Sequence, residues 1–148
     1  MIRTMNAEDV AEVLEVRTST IENAMTMEAL EAYGITEDSV IEGMKSHTRG
    51  WVCEINARIV GFSMASRTNG EVLVLAILPS VEGRGIGARL LGEARDWLFS
   101  VGYDEIWLKT TPDPSLRAYG FYLHQGWKPS GTIEDEDEVF VLAARDQP

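Results

Sequence analysis

Apolar and polar residues alternate along this chain with two different periods. In some segments every second residue is apolar, which is typical of a strand, and in others residues three or four apart are apolar, which is typical of a helix. Ile2–Thr4 is predicted to form a short strand. Asn6 is predicted to cap the following helix, whose inward face carries Val10 and Val13. The chain therefore begins with a strand and then a helix.

Residues 21–47 have the pattern of two short consecutive helices. Thr26 is predicted to cap the first helix, which breaks near Gly34, and Thr36 is predicted to cap the second. Short helices in succession are suited to form one movable wall of a binding site.

The middle of the chain has strand patterns. Residues 51–55 and 58–65 are rich in β-branched and aromatic side chains, and the tight turn between them predicts a hairpin. Asn69 and Gly70 signal a second turn before residues 71–78. This last segment is almost wholly apolar, which predicts a central strand covered on both faces.

A β-α-β unit is predicted next. A helix is expected over residues 86–99, ending near Gly102, and Glu105–Thr110 is expected to be the following strand. The strand at residues 71–78 and the strand after the helix should therefore be parallel, with a right-handed crossover between them.

The C-terminal part predicts one more helix and a strand pair. Ser115 is predicted to cap a helix that reaches Gln125. Residues 127–132 and 139–143 are predicted to form an antiparallel pair, joined by the acidic turn of residues 134–138.

The complete order of elements predicts a single α/β (α+β) domain over residues 1–148, in which helices flank a mixed central sheet of about 6–7 strands. A chain of 148 residues is long enough to bury such a core without disulfides or metals.

Charge and cysteine content narrow the possible partners. The chain has 13 basic and 24 acidic residues, a net charge of −11, which argues against nucleic acid or an anionic membrane as a partner. Cys53 is the one cysteine and lies in an apolar segment, so it is predicted to be a buried, reduced thiol. Because no apolar run approaches the roughly 20 residues that cross a bilayer and no signal peptide is evident, the protein is predicted to be cytoplasmic.

Three glycines at alternate positions, Gly83, Gly85 and Gly87, precede the predicted helix at residues 86–99. Glycine lets the backbone turn sharply and approach a ligand closely, and a helix N-terminus offers unpaired N–H groups with partial positive charge. The segment is therefore either a glycine-rich turn or a seat for an anion such as phosphate.

A dinucleotide cradle is one form that such a seat takes. Residues 83–88 formally satisfy its G-x-G-x-x-A pattern. However, the first glycine follows the strand only after several residues, the unit lies after hairpins, and the next strand ends in Lys109-Thr110-Thr111 where an acidic ribose ligand is expected. A Walker loop is excluded because no Gly-Lys-Ser or Gly-Lys-Thr follows.

Two motifs resemble the GCN5-related N-acetyltransferase (GNAT) family. The family's signature is Gln or Arg, two residues, Gly, one residue, then Gly or Ala, and residues 82–87 read Glu-Gly-Arg-Gly-Ile-Gly. Residues 118–127, Ala-Tyr-Gly-Phe-Tyr-Leu-His-Gln-Gly-Trp, are similar to the family's Ala-x-x-Phe-Tyr-x-x-x-Gly-aromatic segment. The order of elements also matches, so the resemblance spans nearly the whole chain and implies the GNAT-type three-layer fold.

The resemblance implies acetyl-CoA as co-substrate, with its pyrophosphate across the backbone amides of the glycine segment and its pantetheine amides beside a central strand splayed from its neighbour. The residues it assigns to the cofactor are Ile77, Glu82, Gly83, Arg84, Gly85, Ile86, Gly87, Ala88, Arg89 and Ser115.

The same resemblance implies Tyr122 as the general acid that protonates the departing thiolate. Glu71, at the start of the central strand, is the candidate base for the incoming amine, with Glu54 as second choice. The histidines and Cys53 form no recognisable triad or metal set, and no metal cofactor is predicted.

Two positions depart from the family pattern. Glu82 stands where Gln or Arg is usual, which places an acid beside the expected pyrophosphate. Ser115 stands where Asn is frequent at the helix entry, so a cofactor hydrogen bond there is shortened or lost.

The sequence thus predicts an acetyl-CoA-dependent N-acetyltransferase that moves acetyl to a primary amine, of a small molecule or a protein, by direct attack in a ternary complex. The alternative is a non-catalytic acyl-CoA-binding sensor or interaction domain. Family members commonly dimerise near the C-terminus, so a homodimer through the hairpin at residues 127–143 is also expected.

Overall fold

The structure is a computed structural model that describes residues 1–20 and 25–146. Residues 21–24, where the predicted helical region begins, lie outside the described residues. Within the described ranges the chain forms seven strands and five helices. In chain order these are β1 (Ile2–Thr4), α1 (Val10–Arg17), α2 (Met27–Ala32), α3 (Glu37–Ser46), β2 (Thr48–Ile55), β3 (Arg58–Ser66), β4 (Glu71–Ile77), α4 (Ile86–Ser100), β5 (Glu105–Thr110), α5 (Arg117–His124), β6 (Lys128–Glu134) and β7 (Asp137–Ala143).

The strands form one mixed sheet in the order β1-β2-β3-β4-β5-β7-β6. Neighbouring strands are antiparallel except β4 and β5, which are parallel, as the β-α-β unit requires. The predicted mixed sheet flanked by helices is therefore confirmed.

Helices cover both faces of this sheet, and β3 shows how the faces are divided. Gly61 and Ser63 face α4, because a Cβ at Gly61 would lie 3.2 Å from Leu90 Cδ1 and Ser63 Oγ donates a hydrogen bond to Leu90 O at 2.9 Å. Phe62 and Met64 alternate with them and lie on the opposite face, towards α1. The result is three layers, with the core on both sides of the central strands.

The predicted helix caps at α2 and α3 are present. Thr26 accepts a hydrogen bond from the backbone N–H of Ala29 at 3.0 Å, and Thr36 accepts one from Ser39 at 3.1 Å. These caps satisfy N–H groups that the first turn leaves unpaired, so the starts of both helices are determined locally.

The predicted complete coverage of the central strand is wrong at one residue. Met64 pairs with Val74 and Ala65 pairs with Val72, so Leu73 is an extra residue in a β-bulge of β4. Its side chain is 44% exposed. A bulge depends on the partner strand, so the apolar run of β4 by itself contained no sign of it.

The predicted cap of α5 is also wrong. The helix begins at Arg117 with Leu116 at the N-cap position, one residue beyond the expected cap. Ser115 instead bonds to the preceding loop, where its N–H and Oγ both donate to Asp113 Oδ1, at 2.9 and 2.7 Å. The Asp113 side chain holds this loop as an Asx turn, which competes with helix capping for Ser115.

Candidate functional site

The glycine segment forms an open backbone loop at the start of α4. Gly83 and Gly85 adopt left-handed conformations, with φ of 82° and 79°, and Gly85 is the N-cap residue of α4. A Cβ at either position would meet no atom within 4 Å. These glycines are therefore needed for their backbone conformation, and the space above them is open to a ligand.

The amides of this loop have no partner in the described part of the chain. The first hydrogen bond of α4 runs from Arg89 N to Gly85 O at 3.2 Å, and no side chain caps the helix. The N–H groups from Gly83 to Ala88 therefore remain available, at the end of a 15-residue helix where the dipole is positive. This arrangement fits an anion.

A cavity of about 850 Å³ runs from this loop along β4. It follows the gap between β4 and β5, whose ladder of described residues contains the single pair Glu71 and Trp107. Beyond that pair the two strands diverge, so the edge of β4 near Ile77 faces the cavity instead of β5. The splayed central strand expected from the sequence is present.

The structure brings most of the predicted cofactor residues to this cavity and leaves three outside it. Arg84, Arg89 and Ser115 have exposed side chains that do not belong to the cavity lining. The predicted cofactor residues that line the cavity are Ile77, Glu82, Gly83, Gly85, Ile86, Gly87 and Ala88.

Glu82 is paired with a basic residue. Its Oε1 lies 3.0 Å from Nη1 of Arg117, in the first turn of α5, and both residues line the cavity. The pair places the guanidinium of Arg117 beside the open amides, and this positive charge offsets the negative charge of Glu82. Arg117 was not singled out from the sequence, because its contact with Glu82 joins residues 35 positions apart.

Tyr122 lies on α5 and lines the same cavity. Its ring packs edge-on against Phe121, Trp127 and Phe140, with ring centroids 5.4, 6.5 and 6.3 Å away. Burial raises the pKa of its phenol to about 12. The hydroxyl therefore keeps its proton at neutral pH and can donate it.

Glu71 lines the cavity at the end of β4 that is far from the glycine loop. Burial raises the pKa of its carboxyl. A hydrogen bond from Asn69 Nδ2 at 3.4 Å and the positive charge of Lys109 lower the same pKa but do not cancel the effect of burial. Glu54, the second choice, lies on β2 in an ion pair with Arg3 at 3.6 Å and does not line this cavity. Of the two carboxylates, only Glu71 shares a cavity with Tyr122.

The fold and the cavity agree with a match between this chain and a family model. A family model described as the acetyltransferase (GNAT) family matches residues 16–127. The chain belongs to this family. The predicted resemblance and the prediction of an acyltransferase enzyme are thereby confirmed.

Solved structures of acetyltransferases have the same fold. The PaiA N-acetyltransferase from Thermoplasma acidophilum in complex with coenzyme A is 20% identical over 97% of this chain and 98% of its own, with a TM-score of 0.79. Aminoglycoside 6'-acetyltransferase type Ii is 20% identical over 100% and 99%, with a TM-score of 0.75. An N-acetyltransferase from Staphylococcus aureus Mu50 is 21% identical over 97% of both chains, with a TM-score of 0.70.

Several lining residues of this GNAT enzyme were missed by sequence reasoning. They are polar or charged side chains that reach the cavity from elements distant in the chain, and no local motif contains them. They are Arg17, Tyr33, Lys109, Arg117 and Asp137.

The described ranges of this GNAT enzyme contain neither a membrane-spanning helix nor a metal-binding cluster. Among residues 1–20 and 25–146, none of the helices is long and apolar enough to span a membrane. In the same ranges there is no cluster of three or more His, Cys, Asp or Glu side chains that would hold a metal ion.

Proposed function

We propose that this GNAT enzyme uses acetyl-CoA to acetylate a primary amine by direct attack in a ternary complex. The observation that carries the proposal is the row of unpaired amides from Gly83 to Ala88, which opens onto the same cavity as Tyr122 and Glu71. A binding site for an anionic co-substrate and a pair of acid–base groups thus share one space.

The glycine loop would hold the pyrophosphate of acetyl-CoA. Its amides donate hydrogen bonds, and the positive end of the α4 dipole adds electrostatic attraction. Arg117, held by Glu82 at 3.0 Å, would supply the side-chain charge that Arg84 and Arg89 do not bring into the cavity. The acid at position 82 then serves to orient this guanidinium.

The splayed edge of β4 would hold the pantetheine arm. Backbone groups on this edge, near Ile77, have no ladder partner on β5, so they can pair with the two amides of the arm as an added strand would. This places the thioester midway along β4, between the glycine loop and Glu71.

The chemistry would divide between Tyr122 and Glu71. The lone pair of the neutral amine attacks the thioester carbonyl carbon, the C–S bond breaks, and the thiolate takes the phenolic proton of Tyr122. The proton that the amine loses passes to Glu71, directly or through one water. The raised pKa of Glu71 brings this carboxylate closer to the operating pH, which is what a general base needs.

Family membership favours this enzyme over the sensor hypothesis. The ring contacts of Tyr122 with Phe121, Trp127 and Phe140 do not require its hydroxyl, which is the group that the proposed chemistry uses.

Two measurements test the proposal. Isothermal titration calorimetry with acetyl-CoA should show binding, and release of the CoA thiol with a panel of primary amines should show turnover, with the N-acetylated product identified by mass. Binding without turnover on any amine would favour the sensor, and absence of binding would contradict both.

A further inference from the structure

The acidic turn at residues 134–138, which joins β6 to β7, reaches the cavity that contains the proposed acid and base. Its two central residues, Asp135 and Glu136, have φ of 49° and 71°, which is the conformation of a tight two-residue hairpin turn. β7 pairs with β5, and Asp137, the first residue of β7, lines the cavity. Part of this acidic run therefore forms the cavity wall.

Lys109 of β5 lies between the acidic turn and Glu71. Glu71 pairs with Trp107 on the parallel strand β5, and Lys109 lies two residues beyond Trp107, on the same face of the sheet. Lys109 and Glu71 both line the cavity. The ammonium nitrogen of Lys109 lies 3.5 Å from Asp135 Oδ2 and 6.0 Å from the centre of the Trp107 ring. Contacts on two sides therefore hold the lysine at the cavity.

Trp107 also fixes Asn69, which is hydrogen-bonded to Glu71. Asn69 Nδ2 donates to Glu71 Oε1 at 3.4 Å, and Asn69 Oδ1 accepts from the backbone N–H of Glu71 at 3.2 Å. The indole Nε1 of Trp107 donates to Asn69 O at 2.9 Å. One tryptophan thus contacts both Lys109 and the residue that is bonded to the Glu71 carboxyl, so the fold sets the placement of the lysine relative to the carboxyl.

Opposite charges act on Glu71 from β5 and from the acidic turn. Burial has the largest effect on the pKa of Glu71 and raises it, whereas the hydrogen bond from Asn69 lowers it. Among the charges, Lys109 lowers this pKa and Glu134 raises it. Such effects are stronger in a partly buried cavity than in open water. The other charged or titratable side chains that line the cavity are Arg17, Tyr33, Glu82, Arg117, Tyr122 and Asp137.

We propose that Lys109 is a positioning residue for the proposed base, and that Lys109 and Glu134 set the charge of Glu71 in opposite directions. Lys109 favours the ionised carboxylate, which can accept the proton that the attacking amine loses. Glu134 opposes this effect, so the carboxylate keeps its affinity for that proton. The inference rests on the proposed N-acetyltransferase function and adds to it one residue of β5 and one of the acidic turn.

The first test is the acid limb of the pH profile, where kcat falls as the pH drops. Lys109→Met keeps the length of the side chain and removes its charge, so the limb should move to higher pH. Glu134→Gln should move the limb to lower pH. At a pH on the limb, kcat should fall about two- to fivefold in Lys109→Met and rise about twofold in Glu134→Gln. Raising the pH should restore most of the kcat that Lys109→Met loses.

Three further variants separate charge from packing. Lys109→Arg keeps the positive charge and should keep the wild-type limb. Lys128→Met breaks the 3.4 Å ion pair with Asp146 on the surface, and Glu136→Gln removes a charge at the tip of the acidic turn. Both should leave the limb in place. A shift in Lys128→Met as large as that in Lys109→Met would overturn the inference, because the effect would then be one of net charge.

The second test measures the charge of Glu71 without turnover. Carbon NMR follows the side-chain carboxyl through a pH titration, with its signal assigned by its loss in Glu71→Gln and the fold checked by circular dichroism. The midpoint should rise in Lys109→Met and fall in Glu134→Gln.

The two readouts separate the inference from the function on which it rests. An unchanged NMR midpoint in Lys109→Met would overturn the inference and leave the proposed function intact. An unchanged midpoint in Glu134→Gln would overturn the role of the acidic turn. If the midpoints moved as expected but the acid limb of kcat survived in Glu71→Gln, the proposed role of Glu71 as base would be contradicted, and the inference would be overturned with it.

Discussion

Two regions of the molecule, the glycine loop and a second cavity, differ in whether backbone or side chains line them. At the glycine loop the proposed binding groups are the backbone amides from Gly83 to Ala88, and the side chains of Arg84 and Arg89 are exposed outside the cavity lining. At the second cavity, of about 760 Å³, side chains from α1, α2, α3, β3 and β4 provide most of the described lining.

This difference indicates which region can be shared by the whole family and which can vary among its members. Backbone amides at a helix N-terminus bind phosphate in the same way whatever side chains surround them, so that end suits a co-substrate common to a family. The shape of a cavity lined by side chains changes with each substitution, so the second cavity can differ between members of the family. Tyr122 and Glu71 line the cavity onto which the glycine loop opens, and the predictions start there.

Removal of the Tyr122 hydroxyl should have the largest effect. Tyr122→Phe should lower kcat by about 100-fold or more, because the thiolate then leaves without a proton from the protein. Acetyl-CoA affinity and melting temperature should change little, since the ring packing is kept. Tyr119→Phe is the matched control on the same helix, where the ring contacts Phe140 at 5.1 Å outside the cavity. Equal losses in both variants would mean that Tyr122 only packs.

Glu71 should control the acid side of the pH profile. Burial raises its pKa above the usual 4.5, so kcat should fall as pH drops through that raised value, and Glu71→Gln should remove this limb and lower kcat about 10- to 100-fold. No falling limb from Tyr122 is expected below about pH 12. Glu105→Gln, at the exposed start of β5, is the control, and an unchanged limb in Glu71→Gln would exclude Glu71 as the base.

The raised pKa of the Glu71 carboxyl also predicts how the stability of the fold changes with pH. Because the folded-state pKa of Glu71 is raised, its stabilising contribution is complete below about pH 4.5 and is lost as the pH rises through the folded-state value. Glu71→Gln should therefore melt at a slightly higher temperature than wild type at pH 8 and at the same temperature at pH 4. Thermal unfolding followed by circular dichroism at the two pH values checks this.

A side chain in the glycine loop should damage the cofactor end alone. Gly85→Val forces a β-branched residue into a left-handed conformation, and acetyl-CoA affinity should fall by about tenfold or more as the amides reorient. Gly131→Val is a close control, because Gly131 has φ of 83° and equally open surroundings in β6. Both variants should lose similar stability, and calorimetry should show weaker acetyl-CoA binding only for Gly85→Val.

The smallest effect is expected at the ion pair between Glu82 and Arg117. Arg117→Gln leaves Glu82 uncompensated beside the pyrophosphate, so acetyl-CoA affinity should fall by about three- to tenfold. Adding Glu82→Gln should recover part of this loss, which a double-mutant cycle measures. Lys128→Gln, which breaks the 3.4 Å pair with Asp146, should leave the affinity unchanged. Stronger acetyl-CoA binding by the single variant Glu82→Gln would show that Arg117 does not need Glu82 to hold it in place.

Local patterns in the sequence determined most of the fold and the cofactor end. The apolar periodicities predicted the strands and helices, and Thr26 and Thr36 marked two helix starts, because caps and periodic faces depend on residues only a few positions apart. The glycines at positions 83, 85 and 87 identified the loop for the same reason. Ser115 failed as a cap because Asp113 offered it a competing local bond.

Only the tertiary structure decided the rest. The pairing of Glu82 with Arg117, the bulge that exposes Leu73 and the gap between β4 and β5 all depend on elements that are distant in the chain. The second cavity depends on five elements at once, so no segment of the sequence contains its shape. The residues proposed to bind phosphate were therefore visible in one motif, whereas those that line the second cavity became a set only on folding.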